Sequence, residues 1–283
     1  MIVDAHHHLW RVEDGYRWLD AAELAPIRRS FGPDDLLAEL TAAGVDRTVL
    51  VEGGRCDLDE AALLLDHARR TPTIAGVVAW ADPADPALAD TIAGYRRLPG
   101  GELLVGLRPQ LQAETDPDYL DRPQVRHGLR TIADAGLALD VVVRDDQLPA
   151  VTRAARGVPE LRFVLDHLGK PRIRDGRAGL AAWAGPISAL AAEPNVTAKL
   201  SGLVTEADWA RWTVADLRPF VTEALARFGA HRLMFGSDWP VCRLAADYQA
   251  VLAALTEALP PLSAGDRAAV FGDTAVRTYR LGR

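Results

Sequence analysis

The chain has 283 residues, 49% of them hydrophobic, enough to bury a large core as one α/β domain or two smaller ones. Its formal net charge of -7 and pI near 5.5 leave no electrostatic footprint for nucleic acid or an anionic membrane surface. Two cysteines exclude a disulfide framework, no apolar run reaches the roughly 20 residues that span a bilayer, and no secretory leader precedes the first strand, so a cytoplasmic protein acting on a small molecule is expected.

The first element is an apolar strand, Ile2 to His8, that runs into three histidines. Side chains alternate along a strand, so His6 and His8 point one way and His7 the other. Leu9 to Pro33 then reads as a long insert carrying Trp10, of the kind that covers a site. From there strands and helices alternate, in the order helix Asp34–Ala43, strand Thr48–Glu52, helix Leu58–Arg70, strand Ile74–Trp80 and helix Pro86–Arg97. The pattern continues with strand Leu104–Gln110, helix Pro123–Ala135, strand Leu137–Val143, helix Gln147–Ala155, strand Arg162–His167 and helix Leu180–Ala192. It ends with strand Val196–Leu200, helix Val214–Phe228, strand Leu233–Asp238, helix Asp247–Leu259 and a final helix within 272–281. Asp57 and Asp145 read as helix caps. Eight strand-then-helix units predict a (β/α)8 barrel, one domain over residues 1–283. A doubly wound open sheet competes less well, because its first turn is normally glycine-rich and this one is histidine-rich.

In such a barrel chemistry sits at the C-terminal strand ends. His167 closes strand six in phase with Phe163 and Leu165, which are expected to fill the interior, and so becomes a third imidazole at the mouth. Asp238 closes strand eight beside strand one, where a carboxylate can act as base towards water; the competing role is a helix cap after Pro240. His6, His8 and Asp238 together suit one divalent metal, zinc first, although the same groups can polarise a carbonyl without one. Arg108 and Gln110 point together from strand four, and the guanidinium suits a carbonyl, a carboxylate or a developing oxyanion. Glu52 and Lys199 are further substrate-binding candidates, Lys199 on the face opposite Val196, Ala198 and Leu200. Trp80 and Trp239 can form an aromatic wall against a ring-shaped ligand. Cys56 and Cys242 lie at separated strand ends with no histidine base tied to either, which disfavours a thiol nucleophile.

Five segments together resemble the amidohydrolase superfamily. They are Asp4-Ala5-His6-His7-His8-Leu9-Trp10, Val105-Gly106-Leu107-Arg108, Val164-Leu165-Asp166-His167-Leu168-Gly169-Lys170-Pro171, Lys199-Leu200-Ser201-Gly202-Leu203 and Phe235-Gly236-Ser237-Asp238-Trp239-Pro240-Val241. Within it the chain is most similar to the branch of sugar lactonases and 2-pyrone-4,6-dicarboxylate lactonase. The resemblance implies a barrel with His6 and His8 as the strand-one pair, His167 as the later histidine and Asp238 as the strand-eight acid. The carboxylated lysine on strand four and the early histidine on strand five of metal-requiring relatives are missing, and Pro109 stands where some relatives carry histidine. Glu52 replaces an amide of many relatives, and an extra carboxylate disfavours a dianionic substrate. The expected activity is therefore hydrolysis of a sugar lactone such as an L-fucono-, L-rhamnono- or L-galactonolactone. The rivals are a zinc-dependent decarboxylase of the same superfamily and a non-catalytic barrel that binds a small anion. An oligomer of identical chains is compatible with the sequence.

Overall fold

In a computed structural model, which describes residues 1–282, eight parallel strands form a sheet in sequence order. They are β1 (Val3–His7), β2 (Arg47–Val51), β3 (Ile74–Ala79), β4 (Leu104–Leu107), β5 (Ala138–Val141), β6 (Arg162–Leu165), β7 (Val196–Leu200) and β8 (Leu233–Phe235). The segment after β8 closes the ring. Asp238 N–H donates to the His6 carbonyl at 2.8 Å, and His8 N–H donates to the Trp239 carbonyl at 2.7 Å. Gly236 is required at this seam, because a Cβ there would stand 2.8 Å from the His6 Cβ.

Helices follow the strands as α1 (Pro33–Ala43), α2 (Leu58–Arg70), α3 (Leu88–Arg97), α4 (Pro123–Asp134), α5 (Leu148–Gly157), α6 (Gly176–Ala191), α7 (Val214–Phe228) and α8 (Tyr248–Ala258). Asp57 caps α2 as expected, accepting from Asp59 and Glu60 N–H at 3.0 Å each. Asp145 does not cap α5; it lies in a short turn before the helix and pairs with Arg172 at 3.0 Å. No helix among the described residues is long and apolar enough to cross a membrane.

Two apolar layers hold the barrel. Leu50, Val77, Leu107, Leu139, Phe163, Leu165, Val196, Ala198 and Leu200 belong to the layer shared with the surrounding helices. Phe163 and Leu165 therefore face outward, not into the interior as the strand pattern had suggested. The interior is closed from below by Val3, Val49, Val78, Ala138, Val164 and Met234, packed against Tyr279 and Leu281. Tyr279 belongs to the terminal helix α10 (Thr274–Tyr279), which follows the short α9 (Ala264–Ala268). Above this plug the interior is charged.

Candidate active site

Strands buried on both faces cannot expose an ionisable side chain to water, so every charge on them needs a partner. Asp140 on β5, Asp166 just after β6 and Lys199 on β7 meet in the interior, all 0% exposed. Lys199 Nζ lies 2.5 Å from Asp140 Oδ2, 2.9 Å from Asp166 Oδ1 and 3.0 Å from His6 Nδ1. Tyr279 donates to Asp140 Oδ2 at 2.7 Å, tying the C-terminal helix to this cluster. Burial pushes the Asp140 carboxyl up to about 6, with Lys199 pulling the other way. Burial also acts to raise Asp166, but Lys199, His6 and Arg108 outweigh it and hold the carboxyl well below the usual range.

Arg108 follows β4 and reaches across the floor. Its Nε lies 2.5 Å from Glu52 Oε1, its Nη2 donates to the Glu52 carbonyl at 2.6 Å, and its Nη1 lies 3.0 Å from Asp166 and 3.3 Å from His6 Nε2. Gln110 also donates to Glu52 Oε1, at 2.5 Å, so Arg108 and Gln110 do converge as expected. Glu52 and Lys199 are completely buried beneath the mouth, which places them behind the groups that can touch a ligand.

His6, His8, His167 and Asp238 meet at the mouth. Asp238 Oδ1 lies 3.6 Å from His8 Nε2, 3.8 Å from His6 Nε2 and 3.9 Å from His167 Nε2. Two of these residues lie beyond their strands and arrive by left-handed backbone, His167 at φ 53 and Asp238 at φ 57. Gly202 makes room, since a Cβ there would stand 2.6 Å from His167 Nδ1 and 3.2 Å from Asp238 Oδ2. Asp4, buried under the mouth, accepts from Ser237 N–H, Ser237 Oγ and Tyr248 Oη at 2.8, 2.6 and 2.8 Å and so anchors the Asp238 segment to β1. Burial pulls the His167 imidazole down to about 4 against the attraction of Asp238. For Asp238 burial acts upward, but His167 and His8 outweigh it and keep the carboxyl below the ordinary aspartate value.

His7 turns away to bond Thr48 Oγ1 at 2.9 Å, in keeping with strand alternation. Trp239 is a correction to the expected aromatic wall: it is 1% exposed and packs on Phe31 at 5.3 Å between ring centroids. Trp80 lines an adjacent hollow with Cys56 and Tyr119. The central cavity is walled instead by Trp18 and Trp209, both overlooked in the sequence, together with Gln110, Lys170 and Glu206.

The donor set at the mouth fits a metal. His6, His8 and Asp238 each offer a ligand atom within 4.8 Å of the others. His8 Nδ1 donates to the Val51 carbonyl at 3.0 Å, which leaves its Nε2 lone pair facing His6. Two imidazoles and one carboxylate with a side open to a cavity match a catalytic divalent site in ligand number and type.

Titratable groups converging at the C-terminal mouth of an eight-stranded parallel barrel mark the molecule as a barrel enzyme. Residues 3–281 match the amidohydrolase family, and the chain belongs to it. It is 40% identical to an L-fucono-1,5-lactonase of Burkholderia ambifaria and 41% identical to one of Burkholderia multivorans, in each case over 99% of this chain and 96% of the relative. A crystal structure of an amidohydrolase from Burkholderia multivorans with bound zinc superposes with a TM-score of 0.94 at 37% identity, covering 100% of both chains.

Proposed function

We propose that the chain is a hydrolase that opens the ring ester of a neutral sugar lactone, of the class that its Burkholderia relatives are named for. The observation that carries this is the position of Asp238, a carboxylate flanked by three imidazoles within 3.9 Å and open to the cavity.

Asp238 takes a proton from water as the water oxygen adds to the lactone carbonyl carbon. Ser201 Oγ lies 2.9 Å from His167 Nδ1; with that nitrogen accepting, His167 Nε2–H is the donor facing the reacting groups. Arg108 Nη1 supplies fixed positive charge at the mouth, favouring the developing oxyanion. When the ring C–O bond breaks, Asp238 returns its proton to the departing oxygen, so one carboxyl serves both half-steps. The product is a hydroxy acid that loses its carboxylic proton to solvent. A zinc ion held by His6, His8 and Asp238 would supply additional polarisation of the carbonyl.

The test is turnover of a panel of aldono-1,5- and 1,4-lactones, each with and without chelator. Turnover of at least one sugar lactone at a rate above spontaneous opening is expected. A panel with no accelerated member overturns the reading.

A further inference from the structure

The cavity above Asp238, about 450 Å³ in volume, has a polar wall that this hydrolysis leaves unused. Lys170 follows the left-handed turn at His167, and Glu206 lies on the loop after β7 that also carries Ser201 and Gly202. Their side chains are 28% and 24% exposed, and Nζ stands 3.8 Å from Oε1, beyond hydrogen-bond distance. Neither side chain makes a hydrogen bond to the protein among the described residues. Burial pushes the Glu206 carboxyl up, Lys170 pulls it back, and Asp238 adds to the push, so the two carboxylates sense each other.

A gap of 3.8 Å suits one hydroxyl oxygen, which can donate to the carboxylate and accept from the ammonium at ordinary bond lengths of about 2.7–2.9 Å. Beside the pair stand two fixed indoles. Trp18 spends its N–H on the Gly53 carbonyl and Trp209 on the Thr205 carbonyl, both at 2.8 Å, so each ring is held and offers apolar surface.

Charge adds a second constraint. Glu52 and Asp166 answer the Arg108 guanidinium from below. On the wall away from the His6, His8 and Asp238 set, the charged groups facing the cavity are Glu206 and Lys170, one of each sign. A ligand carboxylate set against Glu206 meets like charge, whereas a neutral polyol meets a donor and an acceptor spaced for a hydroxyl. The geometry points to Lys170 and Glu206 as the specificity pair that reads a sugar hydroxyl and turns away anionic lactones, with Trp18 and Trp209 walling the ring. This assignment rests on the sugar-lactonase reading.

The experiment separates the two. L-fucono-1,5-lactam, a neutral amide analogue of the lactone, is titrated calorimetrically into the wild type, Glu206→Gln and Lys170→Met, beside a δ-lactam bearing a carboxylate on the ring. KM and kcat for neutral and carboxylate-bearing lactones are measured in parallel. Glu206→Gln is expected to weaken the neutral lactam about tenfold, tighten the anionic one and raise KM for neutral lactones more than it lowers kcat. Lys170→Met is expected to weaken both lactams. An unchanged neutral-to-anionic ratio in Glu206→Gln overturns the specificity assignment even if lactones are turned over. A wild type that binds the neutral lactam with this residue dependence yet opens no lactone overturns the lactonase reading and leaves the assignment standing.

Discussion

Arg108 Nε lies 2.5 Å from Glu52 Oε1 with the two side chains 4% and 0% exposed, so the guanidinium at the mouth is an interior ion pair before it is a ligand contact. Glu52 is therefore buried and paired, one step removed from a substrate, and in the assignment proposed above Glu206 is the carboxylate that meets an anionic ligand. Breaking a buried pair strands a charge, at a cost of about 3–5 kcal/mol. Glu52→Ala is expected to lose that much in urea unfolding and to lower turnover, with Glu52→Gln milder because its amide oxygen still accepts from Nε. A loss under about 1 kcal/mol in Glu52→Ala would contradict the pairing.

The barrel was legible because its strands are short β-branched runs spaced by amphipathic helices, and all eight strands begin within a residue of where the pattern places them. The ends were less legible. Strand six was expected to reach His167 and strand eight Asp238, yet β6 stops at Leu165 and β8 at Phe235. Left-handed backbone at His167 and Asp238 carries no period-two signal, so the alternation rule assigned His167 the wrong phase while still finding it. Asp140 and Lys199 were harder, since a pattern cannot say which buried charges find each other. The available clue was Asp140 itself, an acid inside Leu137-Ala138-Leu139-Asp140-Val141-Val142-Val143 that a doubly buried strand tolerates only when paired. Trp18 lies in a short 3-10 turn and Trp209 on a loop, where no strand or helix period points them anywhere.

Asp238→Asn keeps the shape of the side chain but removes the base. Turnover is expected to fall by about 10²–10⁴-fold, with circular dichroism and the unfolding midpoint close to wild type. Retained turnover in a folded variant would remove Asp238 from the proton transfer.

Ser201 is buried behind the cavity wall, where its side chain meets His167. Its Oγ, 2.9 Å from Nδ1, can donate to that nitrogen and so favour the tautomer with the proton on Nε2. Ser201→Ala is expected to lower kcat by about tenfold or more with a smaller change in KM, and Ser201→Thr, which restores a hydroxyl, to recover part of it. Equal changes in KM and kcat would point to general disruption of the loop.

Zinc binding should follow the three-ligand set. Stripped wild-type protein is expected to take up one equivalent in a metal titration, and His8→Ala to lose that uptake while His7→Ala keeps it, because His7 is turned towards Thr48. Equal uptake by His8→Ala and the wild type would place the ion elsewhere.

Glu60 gives stability a pH dependence that is separate from the catalytic groups. On α2, it accepts from Tyr16 Oη at 2.8 Å and Gly53 N–H at 2.7 Å, while its other oxygen is buried without a partner. Burial, reinforced by the nearby Glu52 charge and opposed by the Gly53 and Tyr16 bonds and by Arg108, pushes the carboxyl up to about 7. The unfolded chain releases this proton near the ordinary glutamate value and the folded chain only near 7, so between those values the folded state holds more protons. Stability from this group is fully present below about 4.5 and is lost as pH rises towards about 7, by about 3 kcal/mol at most. Glu60→Gln keeps an acceptor for Tyr16 and Gly53 but cannot ionise. Urea unfolding across pH 5–8 is expected to show a shallower decline in the variant and greater stability than wild type at pH 8; parallel curves would mean that Glu60 does not titrate in this range.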